Sequence, residues 1–226
     1  MHDIINLIGN KNQNNEVLNE VDIKFIIDRL CSLYGITLSD IKPIFAGKRF
    51  MCYEAINNIL YINYKKIKYY NCAALNNYRI MFTIVHELRH YCQFHYCLDE
   101  GDDVANLYLV CFDWLSKDNL ISKVFYGKNH DYFPIELNAD IVAILFILYI
   151  TKYLGDEIYY TIYLNELDAK IRMIYSKKCS DVLNCLYEES QIKNLKENMS
   201  EYNQFLNGIL NNKEKSNNIK QMLLVW

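Results

Sequence analysis

The chain has no run of five like charges, no C-x-x-C pair, no apolar stretch of membrane-spanning length and no internal repeat. Each absence argues against a class of function. The formal net charge of −3 is spread evenly, so nothing forms the basic stripe that nucleic-acid binding needs. The eight cysteines, at Cys31, Cys52, Cys72, Cys92, Cys97, Cys111, Cys179 and Cys185, are scattered, and the start MHDIINLIGN lacks a charged segment followed by an apolar one. Together they read as free thiols in a reducing, cytoplasmic setting. The longest apolar run, Ile141 to Ile150, falls well short of the roughly 20 residues of a membrane span. It reads as a helix buried on all sides, with no membrane partner.

What remains is a globular composition, 52% hydrophobic with 20 tyrosines in 226 residues. That length suits one domain with a helical appendage. Residues 9–20 are polar and Asn-rich, so residues 1–20 are expected as a flexible arm. The domain is expected over residues 21–178, and a C-terminal helical extension over residues 179–226.

Ile23, Ile26, Ile27, Leu30, Leu33 and Tyr34 recur at helical steps before Gly35, a C-cap residue. Residues 49–64 hold two β-rich runs around Asn57-Asn58, which predicts a hairpin. Residues 76–94 lack Pro and Gly and carry Ile80, Ile84, Leu88 and Tyr91 on one stripe, the pattern of a second helix. A third helix is expected from Asp102 or Asp103 to Ser116. A fourth runs from Ile135 to Leu154, opened by Pro134 and stopped by Gly155. Residues 156–175 and 180–212 are expected as further helices. The fold class is therefore α+β, mostly helical, with a small antiparallel sheet.

His86-Glu87-Leu88-Arg89-His90 carries a mechanism in its spacing. Histidines four apart on a helix share a face and can reach one ion at roughly 2.0–2.1 Å. Glu87 lies about 100° round, where it can hold a water on the metal without binding the metal itself. Zinc with an open position lowers the pKa of water to around 7, and Glu87 can act as general base and then hand the proton to a leaving amine. Arg89 is expected at the surface.

A third ligand is needed. His95 stands nine residues after His86, about 180° round if the helix continues, and cannot join it. Glu136 and Asp140 share a face at the head of the fourth helix, so one carboxylate can bind the ion while the other accepts a hydrogen bond from a ligand histidine. His130 and Tyr132, just upstream, are candidate donors to a developing oxyanion.

HELRHYCQ followed by PIELNAD resembles the gluzincin metallopeptidases, and looks closest to their compact bacterial and phage versions, including ImmA/IrrE-like proteins. The resemblance covers roughly residues 45–155. It implies a zincin-like (minigluzincin) fold with a β-hairpin before the active-site helix. It also implies zinc held by His86, His90 and Glu136, with Glu87 as base and Asp140 behind the ligands. A peptide or protein substrate would pair with the hairpin around Ile59 to Tyr64. The alternative is a non-catalytic zincin-like binding or regulatory protein. The helix at 180–212 and the apolar end Met222–Trp226 are a candidate oligomer or partner surface.

Overall fold

The computed structural model describes residues 1–44, 49–67, 72–99, 103–116 and 120–190. Among these, the order is α1 (His2–Gln13), α2 (Glu20–Tyr34), β1 (Asp40–Pro43), β2 (Met51–Glu54), β3 (Ile59–Ile62), α3 (Ala73–Asp99), α4 (Asp103–Ser116), α5 (Leu120–Asn129), α6 (Pro134–Leu154), α7 (Glu157–Ile174) and α8 (Lys177–Ser190). The architecture is mostly helical α+β. The expected partner surface at Met222–Trp226, and most of the helix expected at 180–212, lie outside the described residues.

By compactness the chain divides into two units, Met1–Tyr91 with Val142–Glu166, and Cys92–Ile141 with the chain from Leu167 onward. The first unit holds the sheet. Its strand order is β1-β3-β2, with β3 parallel to β1 (Asp40↔Ile59) and antiparallel to β2 (Met51↔Ile62). The sheet is thus mixed where an antiparallel one was expected. β1 has the sequence DIKP and is largely exposed, so it shows no alternation; its proline is tolerated because the strand lies at an edge. The hairpin loop spans four residues, with only Asn58 at positive φ (55°). The Asn58 side chain fastens the loop, accepting from the Tyr53 hydroxyl and donating to the Thr37 carbonyl. Because β3 is paired on both sides, it offers no edge to a substrate strand; that expectation passes to β2.

The expected flexible arm is instead α1 and its connection to α2. Ile4, Ile5 and Ile8 are at most 1% exposed. Burial of one such side chain is worth about 1.5–3 kcal/mol, and three of them hold a helix too short to persist alone. Asn77 of α3 ties down the connection: its Oδ1 accepts from Leu18 N, and its Nδ2 donates to Asn12 Oδ1 and the Glu16 carbonyl. The Asn-rich composition that suggested disorder supplies these partners. α2 begins with a capping box, Asn19 with Asp22, and ends at Gly35 in the left-handed region (φ 65°).

The second unit carries α4, α5 and α8, with edge-to-face rings at Phe94–Phe112 (5.3 Å) and Phe125–Phe133 (6.1 Å). α5 was not foreseen. α6 is the apolar helix the sequence indicated. By length and composition alone the stretch Val124–Leu154 could cross a membrane, but 83% of its most apolar window is buried within the protein.

Candidate metal centre

α3 runs 27 residues without glycine or proline. Its stiffness sets His86 and His90 one turn apart on one face. Their rings stand at 89° with centroids 4.7 Å apart, and their Nε2 atoms are separated by 3.1 Å. Two imidazoles on one tetrahedral ion would hold those nitrogens about 3.3 Å apart, so the pair needs almost no movement to share an ion. Phe82, one turn earlier, stacks on His86 (6.0 Å, 29°) and restrains that ring.

Glu136 comes from the first turn of α6, opened by Pro134 as the helix-start preference for proline predicts. One ligand atom from each of His86, His90 and Glu136 lies within 4.8 Å of the others. Two imidazoles and a carboxylate, largely buried, form a donor set that can hold a divalent ion. A carboxylate only 4% exposed demands compensation. Tyr126 of α5 donates its hydroxyl to Oε1 at 2.7 Å, and His130 Nε2 lies 3.4 Å from Oε2. Gln93, fully buried three residues after His90, donates from Nε2 to the Ile135 carbonyl and to Asn138 Oδ1, each at 2.9 Å. It fastens the first turn of α6 on either side of Glu136.

Glu87 is 7% exposed, and its Oε2 accepts the Tyr53 backbone N–H at 2.8 Å. Amides along an antiparallel edge strand point alternately toward and away from the partner. Tyr53 therefore presents its N–H on the outer edge of β2, directly to the carboxylate. Four residues on, the Tyr91 hydroxyl accepts from Thr37 N and its ring meets that of Tyr53 (5.9 Å).

The other candidates are placed as follows. His95 lies within α3, which continues to Asp99 and so carries it round the helix from His86. It is not part of the group that could hold a metal ion. Asp140 forms an ion pair with Lys170 of α7. His130 stands beside Glu136 and also contacts Asp131 (3.2 Å). Tyr132 is engaged by α8, its ring lying under Lys178 Nζ (4.3 Å) and its carbonyl facing Cys179 Sγ. Arg89, expected at the surface, is only 6% exposed, because α3 is buried on most of its circumference through this stretch.

Three contributors went unforeseen. Gln93 carried a signal, a polar residue seven after His86 on the same face of the helix. Tyr126 carried none among 20 tyrosines, and Tyr53 acts through its backbone. Compared with protein-family models, curated proteins and solved structures, the chain matches none.

Proposed function

We propose that this chain is a zinc-dependent peptide hydrolase of the gluzincin type. The observation that carries the reading is the convergence of His86, His90 and Glu136, with Glu87 on the same helix as the two histidines. Glu87 adds to that group a carboxylate of the kind that can act on water, with Oε2 held by the Tyr53 N–H. His86, His90 and Glu136 would hold the ion, and zinc in such a site supplies Lewis-acid polarisation of a carbonyl and acidification of water.

Glu87 takes the proton of the attacking water and returns it to the leaving amine. The Tyr53 N–H commits Oε2 of Glu87 to the edge of β2, which assigns the proton transfer to Oε1. An extended peptide lies along that edge, where main-chain hydrogen bonds suit a peptide bond as target. His130, beside Glu136, donates to the developing oxyanion. Asp140, held by Lys170, supports a ligand histidine from behind. The setting is cytoplasmic and the substrate a peptide or protein.

The test begins with the metal content of protein purified without chelators, compared with Glu136→Ala. One zinc per chain, strongly reduced in the variant, is expected; zinc unchanged in the variant moves the third ligand elsewhere. A fluorogenic peptide library then reads hydrolysis. Glu87→Gln should keep the zinc and lose hydrolysis, and activity surviving that change removes Glu87 as the base.

A further inference from the structure

A carboxylate can approach a metal ion through either oxygen or through both, and which it does sets the coordination number and the position left open. Glu136 does not choose alone. Tyr126 donates to Oε1 over 2.7 Å, a distance within the range of a hydroxyl on a charged acceptor. The bond joins α5 to α6 within the second unit, and Glu136 is only 4% exposed, so the hydroxyl acts in a low-dielectric setting where it orients strongly. The Tyr126 ring is itself fixed, edge-on to Phe133 at 5.0 Å and tilted on His130 at 5.0 Å. The backbone beneath Glu136 is set separately by Gln93.

We propose that Tyr126 is a positioning residue of the metal centre: by holding Oε1 it makes Glu136 a ligand through Oε2 alone and keeps a coordination position open. The assignment rests on the metal-centre reading above, and it concerns a contact made to the ligand rather than to substrate.

The experiment is titration of the full chain and of Tyr126→Phe with zinc against a chromophoric chelator, followed by cobalt substitution. Removing such a supporting contact typically weakens metal binding by roughly 10- to 100-fold, and a loss of that size is expected here. The cobalt visible bands should weaken as Glu136 swings to bind through both oxygens and the ion gains a fifth donor. A variant that loses thermal stability but binds zinc as tightly as the parent, with an unchanged cobalt spectrum, has lost only packing and overturns the proposal. Should Tyr126→Phe fold poorly, Phe133→Leu, which loosens the ring but keeps the hydroxyl, gives the same spectral reading in smaller degree; an unaltered spectrum there also overturns it. A parent chain that takes no zinc removes the metal centre itself, an outcome distinct from zinc bound equally by parent and variant.

Discussion

Helix α3 carries two buried polar clusters, and they are built on opposite principles. Near its start, Asn77 meets Leu18, Asn12 and Glu16, while Tyr78 donates to Asp156 at 3.0 Å. Donors face acceptors there, and the capacity of the Asn77 side chain is taken up by main-chain and side-chain partners. Two to three turns later, two imidazole nitrogens and a carboxylate converge instead. The two imidazole Nε2 atoms lie 3.1 Å apart, where either one shared proton or one cation can sit between them. A self-satisfied cluster stabilises a fold; a cluster of metal-ligating side chains can also hold an ion. The contrast supports a functional reading for the second cluster and a structural one for the first.

The largest effect that could break this comparison is at His90. His90→Ala should cost zinc affinity by at least a thousandfold, because two ligands cannot replace three, while the melting temperature of metal-free protein changes far less than that of the zinc-loaded protein. Calorimetry with and without zinc reads both. A metal-free variant that melts far below its parent would place His90 in the structural class. At the other cluster, Asn77→Leu strands the Leu18 amide, the Glu16 carbonyl and Asn12 Oδ1. About 2–4 kcal/mol of stability should go, with zinc content per folded chain unchanged. Zinc loss there would mean that the clusters are coupled.

The thiols offer a finer contrast. The Tyr159 hydroxyl, 2.9 Å from Cys72 Sγ, and the backbone amides of Leu75 and Ala74 at the start of α3 lower the Cys72 pKa. Burial pushes Cys179 up to about 11. Since the thiolate is the reactive form, Cys72 should be alkylated by iodoacetamide at neutral pH before Cys179, and its rate should level off at lower pH. Mass-spectrometric mapping of the modified residues against pH checks the order. Equal rates would show that the environments do not differ as their surroundings require.

The sequence made α2, α3, α6 and α7 legible, because apolar spacing and the punctuation at Gly35, Pro134 and Gly155 act locally. His86, Glu87 and His90 were legible for the same reason, their geometry being fixed within one helix. Glu136 was reached only through its pairing with Asp140, since nothing local says which distant helix brings a carboxylate to the two histidines. α1 was misread because burial of Ile4, Ile5 and Ile8 depends on tertiary partners, and an Asn-rich stretch looks the same whether its amides meet water or Asn77. β1 was invisible because an exposed strand pairing with β3 across 19 residues has no period of its own. Tyr53 shows the hardest case, a backbone amide whose contribution is independent of its side chain.

The smallest expected effect lies at Gly9, within α1. Its φ is not in the left-handed region, so the backbone does not require glycine there. A Cβ at this position would meet Leu154 Cδ2 at 3.0 Å, so Gly9→Ala sets two terms against each other. Helix propensity gains about 1 kcal/mol from the substitution, and the contact asks Leu154 to give by a few tenths of an ångström in a packed interior, a cost of similar size. The branched end of a leucine can rotate, whereas backbone could not, so the net change should stay within about 1 kcal/mol in either direction. Zinc binding should be untouched. A loss of several kcal/mol on chemical denaturation would show that α1 is packed against α6 too rigidly to yield, which would make the expected flexible arm one of the least adaptable contacts in its unit.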